Sequence, residues 1–529
     1  MKTLVIRAAL LVFPLATAFQ ALGQEELRIG QITIESYDVF TPEEATRGWL
    51  YQAANALHIA TKPSVIRDFL LFHEGDPYVL ARLEETERNL RALPFIKSAS
   101  VVAAPPHDGV VDILVRTQDS WTTQPGVSLG KSGGVTTYSF SLEEKDLLGL
   151  GHQAAVAYGK DTQRINRSVE YRDPSLFGPY WSTELIYANN SDGVETTGRI
   201  GRPFVSFVSP WAADALGSHL TQNERIFENG TEVSIFSQDH RAYQAHYGWA
   251  LAAGDPRARR LTVGFENLQD TFTPLPDHAD EILPENRLFR YLLLRYEDVA
   301  NDFIKLNYVN RDSRYEDFNL GLTFGATFGV SPAAFGLDRT TEFVQAETGY
   351  GWRFSPGRFL LAHVSFQTRL NGGLQNGILS GTASYVHKFE TSLIQTFVSR
   401  VRFDYGWNLD RDVQFFADGD NGLRGYRLYS FEGNKRIILN LEHRLFTGKE
   451  ILQLASFGAA VFFDTGTATP EGTPLKLSEF KSDIGVGLRV LITRAAGNSI
   501  LRVDMAYALN PDPFGRKGWL VSFSSGQSF

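Results

Sequence analysis

The sequence predicts a mainly β protein, a transmembrane antiparallel barrel of about sixteen strands behind one small α+β domain. Three observations predict it. From Gln124 onward, short segments rich in Val, Phe, Tyr, Thr and Leu alternate with polar residues between clusters of Gly, Asn, Asp and Pro, the period of half-buried strands. About 405 residues follow that point, and at roughly 25 residues per strand with its connection they supply the sixteen. No internal apolar run approaches the ~20 residues a membrane helix needs. A strand crosses lipid in about 10 residues, with every second side chain outward, so 21% charged residues and a mean hydropathy of −0.18 are compatible with it.

At the N-terminus, Lys2 and Arg7 precede an apolar run over residues 8–18, and Ala21 and Gly23 permit cleavage before Gln24. Residues 1–23 therefore read as a secretory signal peptide. The 529-residue chain has no cysteine, which excludes disulfides and thiolate metal sites. Its net charge of −9 argues against nucleic acid, which calls for a concentrated basic face.

Residues 24–120 form the small domain. Ile32 and Ile34 alternate with Thr33 and Glu35 in a strand over residues 28–37. Thr41-Pro42-Glu43-Glu44 carries a cap, a proline at the first helical position and a glutamate three residues after the cap, so a helix is expected near 41–56. A second helix follows Pro63, with Val65, Ile66, Phe69 and Leu70 on one face; Gly75-Asp76-Pro77 stops it. A third segment, 78–93, has a buried stripe at Leu80, Leu83, Leu90 and Leu93, with Glu84, Glu85 and Glu87 read as its solvated face. Strands at 98–102 and 110–116 flank the turn Pro105-Pro106-His107-Asp108-Gly109. Such a unit has an exposed sheet edge that can accept an extended peptide.

Residues 121–529 form the barrel, with strands expected at 154–158, 183–187, 359–366, 436–442 and 501–506. The first lies near 124–131, and the last runs from Trp519 through Phe523 and Gly526 to the aromatic Phe529. Most aromatic side chains are expected to anchor at the two membrane interfaces. Within a loop near 412–434, Asp418-Gly-Asp-Asn-Gly-Leu-Arg-Gly-Tyr426 sets an arginine among glycines. That guanidinium demands a carboxylate once it leaves water, and Asp464 in Val461-Phe462-Phe463-Asp464-Thr465-Gly466 is the candidate.

These motifs agree with one family. The chain resembles the bacterial surface antigen superfamily of outer-membrane barrel-assembly proteins and two-partner secretion transporters, in which periplasmic POTRA domains precede a sixteen-stranded barrel. Leu423-Arg424-Gly425-Tyr426 is similar to its arginine-glycine-aromatic motif on a loop folded into the lumen, and Phe462-x-Asp464-x-Gly466 to its inner-wall motif. The resemblance implies that Asp464 receives Arg424, and Gly487-Leu488-Arg489 matches a further element on the next strand. Asp146-Leu-Leu-Gly-Leu-Gly151, Tyr171-Arg172-Asp173-Pro174 and a POTRA-like unit over 61–116 are lesser matches. The single POTRA-like unit and the extra helix near 41–56 depart from the major assembly proteins.

The resemblance implies a protein of the bacterial outer membrane whose N-terminal domain faces the periplasm. It would receive unfolded outer-membrane or secreted polypeptide at the POTRA domain and insert or transport it through the barrel or its lateral seam. Outer-membrane lipid and accessory lipoproteins or periplasmic chaperones would be its partners. A dedicated secretion transporter and a passive porin or surface receptor are the alternatives. No enzyme is expected, and no cofactor or metal. Gly126-Val-Ser-Leu-Gly130 fits a nucleophile pattern but lacks the following helix, and in Gly130-Lys131-Ser132 the preceding glycine stands one residue too close for a phosphate loop. The 11 histidines lack ligand spacing and read as solvated or packed, and Asp418 and Asp420 read as loop solvation before calcium binding.

Overall fold

The computed structural model describes residues 27–529 apart from 133–134, 162, 255, 279–281 and 498–499, and the side chains of 127–135 are not described. The expected signal peptide and the Ser128 and Lys131 side chains lie outside the described residues.

The small domain runs β1 (Arg28–Tyr37), α1 (Pro42–Ala45), α2 (Trp49–Leu57), α3 (Pro63–Asp68), α4 (Leu80–Ala92), β2 (Ile96–Ala103) and β3 (Val110–Asp119). Its sheet order is β1-β3-β2, with β1 parallel and β2 antiparallel to β3. The α3 and α4 stripes close on one sheet face, burying Ile66, Leu83, Leu90 and Phe95 with Ile32 and Val115. Thr41 and Glu44 form the expected capping box. The single helix expected near 41–56 is two, because Gly48 takes an extended backbone as the N-cap of α2.

Twenty strands, from Thr123–Ser132 to Trp519–Ser525, form one antiparallel sheet in chain order, with the last strand beside the first. That junction between the last strand and the first is the seam. The count exceeds the expected sixteen because connections are shorter than the average assumed. Asn229 and Gly230, both at positive φ, join Trp211–Glu228 to Thr231–Ala252 in a two-residue hairpin turn. The expected strands at 154–158, 183–187, 359–366, 436–442 and 501–506 all fall within observed ones.

Side chains alternate as a barrel in lipid requires. In Ala455–Thr469, Phe457 and Val461 are exposed outward while Ser456, Phe462 and Asp464 are buried inward. Neighbouring strands continue the apolar exterior with Ile484, Val486, Leu488 and Leu501. No described helix is long and apolar enough to cross a membrane.

The domain packs across the barrel mouth. Arg494, in the turn after Lys481–Ile492, donates to Glu44 at 2.7 Å and to the Val39 carbonyl. Lys62 N–H bonds Gly149 O, and Tyr180 Oη bonds Leu70 O. The Glu84, Glu85 and Glu87 face is not uniformly solvated. Glu85 is buried, accepting from Ser206 Oγ and Phe207 N–H, and Glu87 takes Lys305 at 2.8 Å. Helix α4 meets the barrel through that face, so its charges find partners there.

Candidate functional site in the barrel lumen

The loop over residues 408–434, between Ile394–Trp407 and Lys435–Phe446, enters the lumen. Asp418 organises its glycine-rich part by accepting backbone N–H bonds from Asp420, Asn421 and Tyr429. Its oxygens are thereby spent on the backbone. Gly422 follows at φ +111°, a conformation side chains resist, and the chain turns so that Arg424 points at the barrel wall.

Arg424 is 5% exposed and makes the expected pair. Its Nε and Nη2 lie 2.7 and 3.0 Å from the two Asp464 oxygens, a bidentate fork. Nη1 reaches Glu442 at 2.5 Å and Asp504 at 3.4 Å, and the guanidinium stacks 3.4 Å from the Phe462 ring centre. Glu442 also holds Arg444 and Arg489, while Arg489 and Arg502 both reach Asp504. Four arginines thus share three carboxylates over four neighbouring strands. The sequence reading missed Glu442, Arg444, Arg502 and Asp504. Their signal was present, since Glu442/Arg444 and Arg502/Asp504 stand two apart and so on one strand face.

The glycines of the wall motifs make the room. A Cβ on Gly485 would stand 2.2 Å from Phe462 Cζ, and one on Gly487 would stand 2.1 Å from an Asp504 oxygen. Gly466 lies against the backbone of Ile437 and Ile438, and Gly425 lies so close to Asp483 that a Cβ would sit 2.5 Å from that residue's own. Leu423 and Tyr426 bury against Ile438, Ala468 and Ala508, with Tyr426 Oη donating to the Ser482 carbonyl.

The same loop is held on the opposite wall. Tyr429 stacks on Phe227 at 3.9 Å, Gln414 bonds both backbone groups of Phe227, and Glu432 accepts Asn229 N–H. Phe227 belongs to the seventh strand and Asp464 to the seventeenth of twenty, so the loop spans a diameter.

From the domain side a second element enters, unforeseen in the sequence. The connection over residues 301–322 folds into a hairpin, Phe303–Leu306 with Glu316–Asn319, whose tip is closed by Glu316 accepting the N–H groups of 309–311. Val309 and Leu320 bury with Phe359, Val386 and Val398, and Arg444 donates to the Val309 carbonyl. Arg91 of α4 grips the base of the hairpin through Asp317 at 2.7 Å.

The C-terminal motif divides. Phe523 is exposed outward, but the strand ends at Ser525, and Gly526 at φ +80° turns the chain inward. Phe529 packs with the hairpin cluster, its carbonyl accepting from Arg444 and its ring within 6 Å of Arg424 and Arg444. Inward cations compete successfully with lipid for that ring.

No His, Cys, Asp or Glu grouping suited to a metal occurs among the described residues. Chemically the site is a buried ion network joining two lumen-filling segments, and it can hold them in place.

No family model matches the chain, and no curated protein matches it. Solved structures similar to it include CdiB from Escherichia coli, 13% identical over 95% of this chain and 76% of that one, with a TM-score of 0.48. CdiB from Acinetobacter baumannii is 14% identical over 95% and 74%, with a TM-score of 0.47. BamA from Haemophilus ducreyi lacking POTRA domains 1–3 is 11% identical over 94% and 84%, with a TM-score of 0.40. The fold described above rests on its own strand register.

Proposed function

We propose that the chain is an outer-membrane barrel that receives unfolded polypeptide at its POTRA-like periplasmic domain and inserts or transports it through the barrel or its seam. The observation that carries this reading is the double closure of the lumen by the Arg424 loop and the hairpin at 303–319, each fastened by ion pairs as well as by a small apolar cluster. A passive porin keeps its channel open and has no use for two displaceable closures.

The outer edge of β2 is the receiving surface. It has no strand partner among the described residues, and Glu87 accepts the Val101 N–H at 3.2 Å. The same carboxylate holds Lys305 of the hairpin. A client strand pairing with β2 takes the Val101 N–H, frees Glu87 and loosens the hairpin from α4. The client then pairs with the seam strands Thr123–Ser132 or Trp519–Ser525. Each backbone group paired inside lipid avoids a penalty of several kcal/mol, so the client's own folding drives the step without nucleotide or covalent chemistry. Accessory lipoproteins or periplasmic chaperones are the partners such a role calls for.

Depletion in the native host, with mass spectrometry of outer-membrane and secreted proteins, tests this reading. Joint loss of many barrels identifies a general assembly factor. Loss of one or two large secreted or surface proteins identifies a dedicated transporter. No change in either fraction overturns the proposal in favour of a channel or receptor.

A further inference from the structure

Helix α2 is attached the wrong way round for a soluble domain. Asn55 faces inward, bonding both the N–H and the carbonyl of Phe40 at 3.1 and 2.7 Å, and Tyr51 lies 4.9 Å from the Phe40 ring, while Gln52 is exposed. The apolar side of the helix faces out. Trp49 is 72%, Leu50 57% and Leu57 78% exposed, no residue of α2 is buried, and the helix carries no charge.

This face continues a surface already described. Tyr51 Oη donates to Leu452 O in the turn leading into Ala455–Thr469, and that turn exposes Ile451, Leu452 and Leu454 just below the outward Phe457 and Val461. The exposed apolar residues of α2 therefore lie beside an exposed apolar turn of the barrel.

Aromatic placement points the same way. On the strands from Ile165–Asp173 to Ile394–Trp407, Tyr171, Trp211, Trp249, Tyr350, Trp352 and Tyr385 stand toward the domain-side ends, where interfacial aromatics anchor a barrel. The five strands on one side of the seam and the three on the other, from Lys435–Phe446 round to His152–Lys160, carry Tyr and Trp only toward their far ends, at Tyr507, Trp519, Tyr138 and Tyr158. Trp121, ahead of the first strand, lies against His58. Helix α2 brings Trp49 to the sector that lacks its own anchors.

We infer that α2 lies in the membrane interface beneath the seam, with Trp49, Leu50 and Leu57 in the lipid of the domain-side leaflet. An uncharged helix with one apolar face and interfacial Trp is suited to lie in the plane of that boundary. The inference rests on the barrel spanning a membrane, and it makes α2 a wedge in the lipid through which a strand leaving the seam passes.

The absence of cysteine permits single-site labelling of the full chain. Leu57→Cys, Leu488→Cys and Asp108→Cys, each carrying nitrobenzoxadiazole, are reconstituted in phosphatidylethanolamine/phosphatidylglycerol vesicles with and without doxyl-labelled phosphatidylcholine. Position 488 reports the lipid-facing barrel. Position 108 lies at the end of β3 away from the barrel, about 33 Å from it for ten residues of strand. The label at 57 is expected to be blue-shifted and quenched with that at 488, while 108 stays unquenched. Quenching at 488 with 57 behaving like 108 overturns the inference and leaves the barrel intact. No quenching at 488 overturns the barrel reading and this inference together.

Discussion

At the scale of the residue, a guanidinium withdrawn from water is tolerable only when its charge and its donors are matched. Arg424 meets that condition with a bidentate Asp464, a third contact to Glu442 and the face of Phe462. Arg424→Ala or Asp464→Ala leaves an uncompensated charge, at a cost of roughly 3–5 kcal/mol. Each is expected to impair function while the barrel still shows heat-modifiable migration on a gel, with the loop over 408–434 newly open to protease. Native protection in Arg424→Ala would count against the loop being pinned. A second residue sets a pH dependence. Burial pushes the Asp119 carboxyl up to about 6, and the Thr61 N–H bond only partly offsets it. Folded Asp119 binds its proton more tightly than the unfolded chain does. Its contribution is therefore fully present below 3.8 and lost as pH rises through about 6, an upper bound of about 3 kcal/mol. His58 acts in the same direction, since its bond to Asp38 raises its pKa despite burial. Limited proteolysis near Thr61 is expected to be slower at pH 5 than at pH 8, and Asp119→Asn to flatten most of that difference.

At the scale of the element, one strand face is a packed surface in which a missing side chain matters as much as a present one. Gly485 leaves the space in which Phe462 lies, and Phe462 carries Arg424. Gly485→Ala forces the ring to move and is expected to cost about 1–3 kcal/mol as overpacking. Loop protease sensitivity should rise as in Arg424→Ala, although both charges remain; an unchanged digestion pattern would separate the glycine from the pin. The motif positions Phe462, Asp464, Gly487 and Arg489 were legible through the family resemblance, and the observed strands place Phe462 and Asp464 on one face. The hairpin at 303–319 was not legible. Its residues alternate like any short strand pair, and nothing local distinguishes a hairpin in lipid from one folded into a lumen.

At the scale of the whole molecule, the domain and the two lumen segments are joined by a chain of ion pairs and one hydrogen bond to a backbone carbonyl. Helix α4 holds the hairpin through Arg91–Asp317 and Glu87–Lys305, the hairpin meets Arg444, and Arg444 shares Glu442 with Arg424. The double variant Arg91→Ala/Lys305→Ala removes the first link only. In planar bilayers it is expected to show more frequent or larger conductance steps than the parent, while Arg424 stays protected from protease. Conductance equal to the parent's would mean the hairpin is held by its apolar cluster alone.

The sequence by itself determined the local periods and the chemistry they imply. It assigned the α+β unit before the strands, the capping box at Thr41, the first strand near 124–131, and an arginine loop whose carboxylate partner is Asp464. These follow from contacts between near neighbours, or from a charge that has few acceptable partners. Tertiary structure decided the rest. The number of strands depends on connection lengths that composition does not fix, and twenty stand where sixteen were expected. Phe529 turns from the last strand to Arg444, 85 residues away, and Glu85 is buried against Ser206, 121 residues away, while α2 shows Trp49, Leu50 and Leu57 outward. Strand pairing brings those partners together, and a side chain's own neighbours in sequence carry no record of them.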